Sequence, residues 1–243
     1  MDSEKRAERQ LEILIERYPA LSGLKDKIRE AYQMLRDSYE RGGKLLICGN
    51  GGSCADSEHI VGELMKGFCK KRKISEELRL RLKEIHPEDG EALYENLEQG
   101  LPAIALTAQT ALNTAFSNDK NPLMIFAQQT LGYGKEGDVL LGITTSGNSK
   151  NVLYAFEVAK ALGMKTIALT GKDGGKAGKL ADLPSSRRRM RPIRYRNIIF
   201  RSITRSASCW RRDISGNKFP GFGVLRSSCG FRGKKEKREG DPL

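Results

Sequence analysis

Histidine is scarce in this chain: its 243 residues hold two, His59 and His86, too few for an all-histidine metal site. Cysteine is present five times, as Cys48, Cys54, Cys69, Cys209 and Cys229. That odd set has no C-x-x-C spacing, so reduced thiols are expected in place of a disulfide frame. No run of eighteen apolar residues exists, which argues against a membrane-spanning helix. The opening residues MDSEKRAERQ are charged and lack the apolar stretch of a secretory leader. A cytosolic protein is the expectation. The G-x-G-x-x-G spacing and the phosphate-loop lysine are also missing, so no nucleotide cofactor is expected.

An excess of positive charge is present, but only at one end. Residues 1–183 carry 26 basic and 26 acidic side chains. Residues 184–243 carry 17 basic and 4 acidic ones, so the whole net charge of +13 lies there. A uniformly basic surface would suggest nucleic acid. This distribution suggests instead two compositions in one chain, joined near Leu183.

The front part alternates in a regular way. Leu11, Leu14, Ile15 and Tyr18 recur at helical spacing, Pro19 interrupts, and Ile28, Ala31, Tyr32 and Leu35 resume the pattern. KLLIC (44–48), PAIALT (102–107), DVLLGI (138–143) and MKTIALT (164–170) read as short buried strands. Helical patterns follow the first and third of them closely, and GKDGGKAGKLAD follows the fourth. ALNTAFSND reads as a segment leading out of the second, ahead of the helix NPLMIFAQQTLGYG. Residues 69–100 form a charged helical insertion divided by HPEDG. Such alternation predicts an α/β fold, a doubly wound parallel sheet with an N-terminal helical hairpin. Ligands of such sheets sit outside the carboxyl ends of the strands. The segments GNGGS, SND, TTSGNS and TGKDGG fall at those ends, so polar loops from four strands are expected to converge on one cleft.

TTSGNS offers four hydroxyls, on Thr144, Thr145, Ser146 and Ser149, where a strand gives way to a helix. A helix N-terminus carries unpaired N–H groups and the positive end of a dipole, so the turn can cradle a phosphate. It can equally be a hydroxyl-rich helix cap. GNGGS sits in the same kind of position and is either a second ligand turn or a flexible bend. His59 and Glu63 are four apart on the helix after it, on one face. They could move a proton, bind a divalent metal, or simply touch at the surface. Asp56 and Glu58 read as solvated or capping groups, His86 as a surface residue, and Asn118-Asp119 as a plain turn.

Taken together, GNGGSCADSEHIVGEL, FSND, GDVLLGITTSGNSKNV and GMKTIALTGKDGGKAGKLAD resemble the sugar isomerase (SIS) domain. The likeness is greatest to its phosphoheptose isomerase (sedoheptulose 7-phosphate isomerase) branch and covers roughly residues 5–183, apart from the insertion. It implies a Rossmann-like sheet whose helical hairpin packs between subunits, as a homotetramer. It implies that Ser53, Thr144, Thr145, Ser146 and Ser149 hold the sugar phosphate, and that Asn50, Gly51, Gly52, Asn118 and Asp119 line the substrate. Glu63 would be the proton-transferring base, and His59 with Glu63 would be two ligands of the zinc found in some members. The activity implied is aldose–ketose isomerisation. The same motifs also occur in non-catalytic modules that bind a sugar phosphate or a protein partner.

The chain departs from this pattern after Leu183. The branch carries a helix with a Q-E-x-H-like motif there, which completes the acid and the metal ligands. Here no histidine follows His86 and no glutamine follows Gln129. A basic, disordered tail is expected from about residue 184, and one reading of it is a nucleic-acid contact. A second reading explains more. Shifted by one base, with synonymous codons only, Tyr195–Arg212 can spell Q-E-Y-H-L-P-I-Y-H-A-L-C-L-M-L-E. A change of frame near codons 183–187 is therefore expected in the nucleotide sequence.

Overall fold

The computed structural model describes residues 3–67, 72–171 and 173–187. Helix α1 (Ser3–Arg17) and helix α2 (Lys25–Glu40) form the N-terminal hairpin, joined by a 3-10 turn at Pro19–Leu24. Proline has no N–H to give, so it ends the first helix and fits the first position of the turn. Leu11, Leu14, Ile28, Ala31, Tyr32 and Leu35 are all buried, as their spacing requires.

Strand β1 (Leu45–Gly49) leads into α3 (Gly52–Met65). The insertion follows as α4 (Glu76–Ile85) and α5 (Gly90–Asn96). Then come β2 (Ala103–Ala105), α6 (Thr110–Asp119), a 3-10 turn at Pro122–Met124, and α7 (Ile125–Tyr133). Strand β3 (Val139–Thr144), α8 (Lys150–Ala161), β4 (Lys165–Gly171), α9 (Gly175–Leu180) and β5 (Leu183–Arg187) complete the order.

The strands form one parallel sheet in the order β2-β1-β3-β4-β5. Alternate residues feed two cores. Leu45, Ile47, Val139, Leu141, Ile143 and Leu169 pack with α1, α2 and α3 on one face. Leu46, Cys48, Leu140 and Ala168 pack with α7, α8 and α9 on the other. Each large apolar side chain so buried contributes roughly 1.5–3 kcal/mol. The chain steps outward from β1 to β2, then crosses back and proceeds from β3 to β5. The direction reverses between β1 and β3, and there the strand ends open a crevice.

Two elements differ from the sequence expectation. ALNTAFSND is not a bare connection: residues 110–119 form α6. That helix buries none of its residues, so it leaves no apolar stripe to read. Strand β5 was not foreseen either. Its segment LPSSR carries a proline and two serines, yet it pairs in parallel with β4 from Ile167↔Leu183 to Gly171↔Arg187. An edge position tolerates that composition. The sheet thus continues past the compositional seam at Leu183. Residues 188–243, with the expected disorder, nucleic-acid contact and shifted-frame helix, lie outside the described residues.

Candidate functional site

The crevice between β1 and β3 is bordered by the two turns that the sequence singled out. After β1, Asn50 precedes Gly51, which takes φ 54° at the N-cap of α3. Ser53 lies in the first helical turn, buried, with its backbone N–H donating to Asn50 O at 2.9 Å. Its carbonyl accepts from Ser57 Oγ at 2.7 Å.

After β3, Thr144 is buried and its hydroxyl meets that of Ser149 at 2.9 Å. Ser149 is the N-cap residue of α8, yet its side chain makes no cap bond. The hydroxyl is used sideways, across the turn, which separates this site from an ordinary serine cap. Thr145 and Ser146 are exposed at the crest. Asn148 braces the bend: its backbone N–H donates to Ser146 Oγ at 3.2 Å and its side chain to Ser146 O at 3.0 Å. The first turn of α9 supports this turn. Ala177 N–H donates to Gly147 O at 2.8 Å and Lys176 N–H to Asn148 Oδ1 at 3.1 Å.

The two turns are bonded to each other. Asn50 Nδ2 donates to Asn151 Oδ1 at 3.0 Å, and Asn151 Nδ2 donates to Asn50 Oδ1 at 2.8 Å. Sequence reading missed Asn151. Its place two residues after Ser149, on the first turn of α8, is the only signal it gave.

On α3, His59 Nε2 and Glu63 Oε1 lie 3.1 Å apart. The histidine is largely exposed and the glutamate buried, with side-chain exposures of 62% and 6%. A buried carboxylate facing one exposed imidazole is suited to proton exchange with a ligand in the crevice. Glu58 is exposed, as expected of a solvated group, and also accepts from Thr107 Oγ1 at 3.1 Å, linking α3 to the segment after β2. Cys54 Sγ approaches the same oxygen at 3.5 Å, and burial pushes its thiol pKa up. His86 is exposed at the end of α4, accepting from Asp89 N–H at 3.3 Å.

Asn118 and Asp119 are placed differently from the other candidates. They occupy the last turn of α6, exposed, with Asn118 Nδ2 donating to Asp119 Oδ1 at 2.9 Å.

A zinc site needs three or four protein donors. Among the described residues no group of three histidine, cysteine, aspartate or glutamate side chains could hold a metal ion. His59 and Glu63 are two donors, so the described residues do not fit a zinc site.

Comparison with known proteins agrees with this geometry. The family model described as the SIS domain matches residues 20–99 and 90–171. A phosphoheptose isomerase of Helicobacter pylori (strain P12) is 40% identical over 164 residues, 68% of this chain and 72% of its own length. One from Clostridium acetobutylicum is 40% identical over 159 residues, 65% and 68% of the two lengths. The solved structure of a phosphoheptose isomerase from Francisella tularensis superposes with a TM-score of 0.63 at 30% identity, covering 87% of this chain and 99% of the other. That of Neisseria gonorrhoeae gives 0.60 at 29%, covering 85% and 97%. Among the described residues no helix is long and apolar enough to cross a membrane.

Proposed function

Because the chain belongs to the SIS domain family, on its phosphoheptose isomerase branch, we propose that its crevice binds sedoheptulose 7-phosphate and serves its isomerisation to the heptose 7-phosphate. One observation carries the reading. Two turns bearing hydroxyls and helix N-termini meet at the sheet's switch point, directly bonded through Asn50 and Asn151.

In this proposal Ser53, Thr144, Thr145, Ser146 and Ser149 receive the phosphate. No lysine is needed there: N–H groups at a helix N-terminus and hydroxyl donors satisfy the ester oxygens. Asn50, Gly51 and Gly52 line the sugar, with Asn118 and Asp119 reaching it from α6. Glu63 removes a proton from C1 of the ketose as the C2 carbonyl oxygen gains one, giving the enediol. Returning a proton to C2, with loss of the C1 hydroxyl proton, yields the aldehyde. Burial of Glu63 beside the His59 imidazole supports this role. Zinc belongs to the proposal only as a site that His59 and Glu63 would begin. A homotetramer and a cytosolic location are proposed with it; the α1–α2 hairpin, the scattered cysteines and the charge-balanced front part support them.

A second reading has its own observation. The group that handles the substrate oxygens in the family comes from beyond β5, where the described residues end at residue 187. A binding module without turnover, regulatory in role, would look the same up to this point.

The deciding experiment follows aldose formation from sedoheptulose 7-phosphate by the chain as given and by a version read one base over after codon 187. The second is expected to turn over. The first is expected to bind and to react at least about a hundredfold more slowly, having lost one proton-transfer group. No turnover by the frame-shifted version ends the enzyme reading. Metal analysis of both decides the zinc proposal.

A further inference from the structure

The amide pair Asn50–Asn151 has a defined orientation, and that orientation comes from one end only. Asn151 Oδ1 accepts from its neighbour's backbone, Val152 N–H, at 3.0 Å as well as from Asn50 Nδ2. A backbone N–H can only donate, so it fixes which end of the Asn151 amide is oxygen. The Asn151 nitrogen must then face Asn50 Oδ1, at 2.8 Å. Asn50 is thereby turned in its own plane, with one N–H and one lone pair used by its partner. Asn50 lies in the turn after β1, and among the described residues its side chain is bonded to Asn151 alone. Asn151, by contrast, is anchored in the first turn of α8.

The pair also spans the point where the sheet reverses direction. Strand β1 pairs directly with β3 from Leu45↔Val139 to Gly49↔Ile143, so the turns begin at one level. Beyond that register, the backbone ladder ends. Across the crevice mouth the Asn50–Asn151 bridge joins these turns by two side-chain hydrogen bonds.

We infer that Asn151 is a positioning residue for the sugar: it orients the Asn50 amide and sets the spacing between the sugar-lining turn and the phosphate-holding turn. The inference rests on the proposed sugar-phosphate reading. It predicts a division of labour. Phosphate depends chiefly on the β3–α8 turn, with Ser53 added from α3, and the Thr144–Ser149 hydroxyl pair does not include Asn151. The sugar needs both turns at the right distance.

The test uses the full chain with Asn151→Leu, which keeps the side-chain size, and Asn151→Ala, which keeps the helix. Val152 N–H retains Ser149 O as an acceptor at 3.1 Å in either variant. Calorimetric affinity for sedoheptulose 7-phosphate is expected to fall about tenfold, the equivalent of one hydrogen bond. Affinity for inorganic phosphate is expected to stay within about twofold, and the side-chain amide proton signals of Asn50 to shift toward those of a solvent-exposed asparagine. Unchanged sugar-phosphate affinity with an unmoved Asn50 signal overturns the inference. Equal loss for both ligands with a lowered melting temperature overturns it too, since Asn151 would then be merely structural. If the unmodified chain binds no sugar phosphate, the functional reading fails; the Asn50 resonances still decide whether Asn151 orients that amide.

Discussion

Gly147 lies against the carbonyl of Gly174, so the turn after β3 and the loop after β4 touch backbone to backbone with no side chain between them. Gly147 has φ 69° and Gly174 φ 93°, conformations that side chains resist. A Cβ on Gly147 would overlap that carbonyl, and one on Gly175 would come within 2.6 Å of Ser146 O. Gly147→Ala is therefore expected to cost about 2 kcal/mol or more and to weaken inorganic phosphate binding, since the phosphate turn must lift. Gly132→Ala is the control. It sits inside α7 with nothing within 4 Å of an added Cβ, and it should stabilise by about 0.5–1 kcal/mol. Urea unfolding and phosphate titration of the two variants check both statements.

Glu63→Gln keeps the shape of the side chain and removes its basicity. With Glu63 as the proton-transferring base, kcat is expected to fall by about a thousandfold while KM changes little. His59→Asn should produce a smaller loss, because the imidazole is exposed and touches the reaction only through Glu63. Equal losses for the two variants would assign the chemistry to the pair instead of to the carboxylate. The measurement is steady-state isomerase kinetics on the form that turns over.

Much of this architecture was legible because it rests on repeated patterns. Leu45, Leu46 and Ile47 form a continuous apolar run, as expected of a strand covered on both faces, and its position predicted the turn that follows. Ser149 was legible as a residue at a strand-to-helix junction; that its hydroxyl turns toward Thr144 was not, since propensity describes position and not partner. Asn151 and Thr107 were invisible because their roles depend on residues about 101 and 49 positions away. Strand β5 escaped because pairing to β4, not composition, makes LPSSR extended. Helix α6 escaped because an exposed helix has no apolar stripe.

Arg72 closes the base of the insertion. It is buried, and its guanidinium donates to Gln99 O at 2.6 Å and to Leu64 O, while Gln99 N–H donates back to Arg72 O at 2.7 Å. Leu64 follows Glu63, so the same clamp holds the end of α3. Arg72→Ala is expected to destabilise the fold by about 3 kcal/mol, since charged hydrogen bonds contribute roughly 1.5–3 kcal/mol each. Arg72→Lys should recover only part of that, because a single ammonium lacks the fork that spans two carbonyls. Urea unfolding gives the ranking, and faster proteolysis within residues 69–100 should accompany the loss.

The N-terminal hairpin carries the clearest pH signature. Glu8 on α1 accepts from Arg29 at 2.8 and 2.9 Å and from Lys25 at 2.9 Å, both on α2. The Arg29 hydrogen bonds, more than any other influence, lower its pKa from the ordinary 4.5 to about 2. A carboxylate whose pKa is depressed in the folded state stabilises fully above its unfolded pKa. That contribution is lost as pH falls through about 2. Glu8 is 37% exposed as a side chain, so solvent screening keeps the contribution under about 1 kcal/mol. Glu8→Gln should therefore be less stable than the unmodified chain by a constant margin at neutral pH. The margin should narrow from about pH 4.5 downward and vanish near pH 2. Urea unfolding across that range, repeated in about 1 M salt to screen the pair, gives the test: a margin independent of both pH and salt would show that Glu8 stabilises by packing and not by charge.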